Sequence, residues 1–133
     1  MEAHMAPFCL GLVTAAAVVV LPTASLTLGW RHSVEGSRWE EDYQALAGGV
    51  VITEARIEAF GAGMEPPATA VRLGRWWHYV PALGPLSAVH LANSDRVGGY
   101  TLCWAGGCRP LDGMVPRGQP VSLVSASCAA DGQ

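Results

Sequence analysis

Charge is scarce in this chain. Only 14% of its 133 residues are charged, against roughly a quarter in an ordinary soluble domain. The 8 basic and 11 acidic residues are spread along the chain and never gather into a basic run. With no clustered cations to neutralise phosphates, nucleic acid is excluded as an expected partner. Internal repeats are lacking, and the 16 glycines and 9 prolines are dispersed, which signals many turns rather than low complexity. Several chemical signatures are missing too. No second CxxC-like pair accompanies Cys103 and Cys108, so a structural zinc site is not expected. No G-x-S-x-G elbow presents a nucleophilic serine. Gly61-Ala62-Gly63 lacks the third glycine and the βαβ setting of a dinucleotide fingerprint.

What is present is apolar. Half the residues are hydrophobic, and a chain of this length supports one domain with a usable core. Phe8 to Leu21 is almost wholly apolar. As a signal peptide it has no Lys or Arg ahead of it, and Pro22 falls where cleavage after Ala24 prefers a small residue. It is also short of the ~20 apolar residues that span a bilayer. The β-branched Val18-Val19-Val20 suits a strand. Two strands are therefore expected, Phe8–Val13 and Ala17–Leu21, with membrane contact through residues 8–21 as the competing reading. A cleaved signal peptide is not favoured, which leaves a cytoplasmic or membrane-associated location. The expected organisation is a disordered segment 1–7, a single domain over 8–128 and a disordered tail 129–133.

The chemistry-bearing residues crowd into Trp30 to Tyr43. Gly36-Ser37 is a Gly-X pair of the kind that favours a two-residue type II′ hairpin turn. Placing the turn there sets Glu35 opposite Arg38, Val34 opposite Trp39, Ser33 opposite Glu40, His32 opposite Glu41, Arg31 opposite Asp42 and Trp30 opposite Tyr43. Strand alternation then puts His32, Glu41, Trp39, Trp30 and Tyr43 on one face and Ser33, Glu35 and Glu40 on the other. His32 with Glu41 reads first as a hydrogen-bonded pair fixing the register. A metal or small-ligand site using Glu35 or His78 as well, and catalysis, are its sharper alternatives. Ser33 has no base across space and no oxyanion hole to make it a nucleophile.

The rest of the chain reads as short strands separated by turns. Val50–Glu58 is expected as a strand with Val51, Thr53, Ala55 and Ile57 inward and Glu54, Arg56 and Glu58 toward water. Gly61-Ala62-Gly63-Met64 is a loop whose glycines would let a backbone approach a ligand. Trp76, Trp77 and Tyr79 place aromatics on both faces of one strand. Cysteines at 9, 103, 108 and 128 permit two disulfides and leave the redox compartment open. A two-residue turn at Ala105-Gly106 would set Cys103 opposite Cys108, either as a disulfide or as two small buried thiols. Together these features predict an all-β fold, a small antiparallel barrel or a two-layer sandwich of about eight to ten short strands.

The run His32-Ser33-Val34-Glu35, then Trp39-Glu40-Glu41, Gly61-Ala62-Gly63-Met64, Trp76-Trp77, and Leu102-Cys103 with Cys108 resembles the bacterial family called domain of unknown function 1850. The resemblance extends from about Cys9 to Cys128. It favours the strand reading of the first segment, because many members begin with a comparable apolar strand. It implies no reaction and no catalytic residues, and no cofactor is firmly implied. What it does imply is a genetic association with tripartite (TRAP-type) solute transporters, hence transporter components as a protein partner. The expected function is a non-enzymatic accessory or binding module whose recognition residues are His32, Glu35, Trp39, Glu41, Gly61, Gly63 and Met64, with Gly36 and Ser37 shaping the hairpin. A small metal- or ligand-dependent enzyme using His32 with Glu41 is the rival class; the sequence leaves the metal unknown.

Overall fold

A computed structural model of the chain describes residues 7–31, 36–58, 66–93 and 99–128. Its first apolar run forms two strands, β1 (Phe8–Val13) and β2 (Val18–Val20). Thr14 makes the turn between them: its Oγ1 accepts from the N–H groups of Ala16 and Ala17, both at 3.2 Å. That is the way a hydroxyl side chain substitutes for a backbone turn partner. Leu10 and Leu12 are fully buried. Among the described residues no helix is long and apolar enough to cross a membrane.

Nine further strands follow: β3 (Ser25–Arg31), β4 (Arg38–Leu46), β5 (Gly49–Ile57), β6 (Val71–Leu73), β7 (Trp76–Tyr79), β8 (Val89–Leu91), β9 (Thr101–Trp104), β10 (Gly107–Pro110) and β11 (Val121–Ser127). The one helical element among the described residues is a single 3-10 turn, Leu111–Gly113. The strands form a small sheet ordered β2-β1-β11-β8 and a large sheet ordered β10-β9-β3-β4-β5-β7-β6. All pairings are antiparallel. Among the described residues each sheet keeps two open edges, so the fold is a two-layer sandwich and not a closed barrel. The described residues hold eleven strands, against the expected number of about eight to ten.

The core lies between the sheets. Leu10, Leu12, Val121 and Leu123 of the small sheet meet Leu26, Leu28, Tyr43, Val50, Ile52 and Leu102 of the large one. Burying one such side chain is worth about 1.5–3 kcal/mol, so the alternation of these positions decides which face of each strand turns inward. Ala55 and Ile57, near the far end of β5, are each 2% exposed yet stand apart from this cluster.

Two local expectations are corrected. The β3–β4 ladder pairs Arg31 with Arg38, Trp30 with Trp39, Leu28 with Glu41 and Leu26 with Tyr43. Arg31 is not opposite Asp42, nor Trp30 opposite Tyr43. The physical reason is the core: this register stacks Trp30 on Trp39, ring centroids 5.8 Å apart, and buries Leu26 beside Tyr43. In β5 the inward residues are Val50, Ile52, Ala55 and Ile57, not Val51 and Thr53. β5 bulges at Thr53, the extra residue between the partners of Asp42 and Tyr43; this shifts the pairing by one residue and so reverses the alternation of β5 past that point.

Candidate functional site

Glu41 sits on the inner face of the large sheet. Across the ladder its neighbours are Leu28 on β3 and Ala55 on β5, with Tyr79 beyond on β7. Along β4 it lies between Trp39 and Tyr43, which share its face. The Tyr43 hydroxyl donates to Glu41 Oε1 at 2.5 Å. Trp30 stacks on Trp39, and Tyr100 meets Trp30 edge-on at 5.5 Å between centroids. Burial pushes the Tyr43 hydroxyl far above the ordinary phenol value, and the Glu41 hydrogen bond and charge push it further. Burial, with Glu41 contributing, also raises Tyr79 and Tyr100. All three tyrosines of the chain thus gather about one carboxylate, and Glu41, Trp30, Trp39, Tyr79 and Tyr100 are only partly buried.

These shifts carry a sign. A tyrosine whose folded value is raised contributes stability that is full below the unfolded value near 10 and is lost as pH climbs toward the folded value. Unfolding free energy measured in urea is expected to hold between pH 7 and 9. Above pH 10 it should fall by up to about 1.4 kcal/mol per pH unit for each protected tyrosine, and Tyr43→Phe should flatten the fall. A wild-type curve level to pH 11.5 would refute this.

Of the residues expected to make the site, Trp39 and Glu41 are brought together on this face. Leu28, rather than His32, is the ladder partner of Glu41. His32, Glu35, Gly61, Gly63 and Met64 lie outside the described residues. At one end of the sheet Arg31 pairs with Arg38 and Trp39 with Ile57. Gly36 has the positive φ of 75° that a glycine accepts readily, and its carbonyl receives a hydrogen bond from the Arg31 guanidinium. His78 pairs across the ladder with Arg56 and therefore lies on the outer face, so the sheet separates it from Glu41. The metal set combining those two is corrected accordingly. Among the described residues no three His, Cys, Asp or Glu side chains are placed to hold a metal ion.

The outer face holds a charge lattice that the sequence only half showed. Arg56 is its centre. Its guanidinium donates to Glu40 Oε1 at 3.0 Å, to both Asp42 oxygens at 2.8 and 2.9 Å, and to Glu54 Oε1 at 2.6 Å. Thr27 Oγ1 donates to Asp42 Oδ1 at 2.7 Å, and His78 Nδ1 lies 3.3 Å from Glu54. The Arg56 guanidinium, with help from the Thr27 hydroxyl and against burial, holds the Asp42 carboxyl below its ordinary value. Beside it a cleft of about 320 Å³ is lined by Thr23, Ser25, Thr27, Gln44 and Thr53 with Asp42. The outward positions of Glu40, Glu54 and Arg56 were legible; their convergence needed the β4–β5 register.

Arg56→Met should cost about 2 kcal/mol at pH 7, between the small worth of exposed pairs and the larger cost of breaking a buried one. A lowered carboxylate contributes stability that is present above the unfolded value near 3.9 and is lost as pH falls through the folded one. The deficit of Arg56→Met should therefore shrink in urea titrations at pH 3. An equal deficit at both pH values would show that lost packing, not charge, explains it.

Cys103 and Cys108 are joined in a disulfide, as are Cys9 and Cys128. The β9–β10 turn has positive φ at both Ala105 (53°) and Gly106 (80°), the backbone of a type I′ hairpin.

An aromatic, carboxylate-bearing inner face and a charge lattice on the outer face of the larger layer characterise this all-β sandwich domain. The chain belongs to the family DUF1850, a domain of unknown function, whose model matches residues 26–111. That segment runs from the second residue of β3 to the residue after β10, so it contains nearly all of the large sheet and, of the small one, only β8. No curated protein and no solved structure matches the chain.

Proposed function

We propose that this chain is a non-enzymatic binding module that acts as an accessory to solute uptake by tripartite (TRAP-type) transporters. The observation that carries the binding role is the partly exposed group of Trp30, Trp39, Tyr79 and Tyr100 around Glu41. Aromatic rings combine large contact area with a polar edge, and they lose little freedom when a rigid sheet already orders them. The transporter side of the reading comes from the family resemblance, whose members accompany such systems. The test is a pull-down from native membranes combined with subcellular fractionation. Transporter components should be retained on the tagged chain and should co-fractionate with it. Repeated failure to retain any of them overturns the accessory role.

A further inference from the structure

Among the described residues Glu41 has a hydrogen-bond donor but no countercharge. One of its oxygens accepts from Tyr43, and the ion pairs among the described residues go to Glu40, Asp42, Glu54, Glu58 and Asp112 instead. The chain contains no lysine at all. The nearest arginine lattice, at Arg56, is on the other side of the sheet. A carboxylate facing the inside of a sandwich without a cation is costly unless water or a ligand reaches it, and Glu41 remains partly exposed.

Its surroundings narrow the class of that ligand. A divalent metal would need several oxygen ligands, and among the described residues this face offers one carboxylate with one oxygen already engaged. An anion would meet a negative charge. A neutral apolar molecule would find the rings but leave the carboxylate unanswered. A cation carrying carbon substituents satisfies both, because the faces of Trp and Tyr rings are electron-rich and attract cations within about 6 Å of their centroids. The Tyr43 hydroxyl fixes one carboxylate oxygen and leaves the other for the ligand.

We infer that Glu41, with Trp30, Trp39, Tyr79 and Tyr100 around it, forms a binding site for an organic ammonium cation. The inference rests on the reading of the chain as a binding module and names what it binds.

The test is a tryptophan-fluorescence titration of the full chain with choline and tetramethylammonium. The control ligand is 3,3-dimethylbutan-1-ol, which has the shape of choline without its charge. Both cations should give saturable responses, with the neutral isostere binding at least about tenfold more weakly. Glu41→Gln should weaken choline binding by at least about tenfold, whereas Glu54→Gln, which removes a carboxylate on the outer face, should leave it unchanged. Trp39→Leu guards against a folding defect in the first variant: it keeps the charge, and should weaken choline and tetramethylammonium by several-fold. Equal binding of the isostere, unchanged binding by Glu41→Gln, or no saturable response to either cation overturns the inference. The two readings separate in the pull-down. Retained transporter components without a cation response sink the ammonium site alone; a Glu41-dependent cation response without retention sinks the accessory role alone.

Discussion

Replacing Cys9 and Cys128 together by serine is expected to lower the stability of the oxidised protein by about 4–5 kcal/mol. The two cysteines are 119 residues apart, and a cross-link that closes a long loop removes more freedom from the unfolded chain than one closing a short loop. Cys103 and Cys108 are only 5 apart, so the corresponding double serine variant should lose about 2 kcal/mol. The long link also holds β1 against β11, where Cys9 pairs with Ala126 and Phe8 with Ser127. Urea unfolding of the two variants beside the wild type measures both losses. If the short-loop variant suffers as much as the long-loop one, native packing around the sulfurs is the cause and loop closure is not.

Gly49→Ala is expected to cost about 3 kcal/mol or more. Gly49 has a φ of 141°, a conformation that an L side chain rarely adopts, at about 1–3 kcal/mol. A Cβ there would also stand 2.4 Å from the Leu86 carbonyl oxygen. That carbonyl cannot retreat cheaply, because it accepts the Val50 N–H at 2.8 Å while the Leu86 N–H donates to Val50 at the same distance. Val50 is fully buried, so movement would disturb the core, and crowding of this kind adds about 1–3 kcal/mol. The adjacent Gly48 would place a Cβ in open space. Gly48→Ala should therefore stay within about 0.5 kcal/mol of wild type. Matching melting temperatures for the two alanine variants would refute the argument.

Local signals in the sequence carried the fold class, the two strands of the apolar run and the hairpin between Cys103 and Cys108. In each, the deciding residues are close together: three β-branched valines, or two thiols around an Ala-Gly turn. The hairpin after β3 failed for the opposite reason. The turn preference of Gly36-Ser37 is a local effect of modest size, and the stacking of Trp30 on Trp39 with the burial of Leu26 and Tyr43 outweighs it. The observed register differs from the expected one by an even number of residues, so Trp30 still shares a face with Trp39, Glu41 and Tyr43. The bulge at Thr53 could not be read from alternation, which assumes an unbroken period. The Cys9–Cys128 link was equally hidden, since nothing in either neighbourhood says that β1 lies beside β11. Around Glu41, the residue and the aromatics next to it in sequence were legible. Tyr79 and Tyr100 were not, because they arrive from β7 and from the segment before β9.

The pairing of β1 with β11 also has a consequence in time. β1 leaves the ribosome before β11, with more than 100 residues between them. At about 5–20 residues per second, β1 waits roughly 5–25 s for its partner. The large sheet can assemble during that interval, but the layer that covers it cannot. For those seconds Leu26, Leu28, Tyr43 and Leu102 have no small sheet over them, and the nascent chain presents an apolar surface to whatever holdase or membrane lies nearby. Docking of the seven-residue β11 is therefore the step that ends this exposure, and a variant lacking Val121–Ser127 should be synthesised but never leave that state.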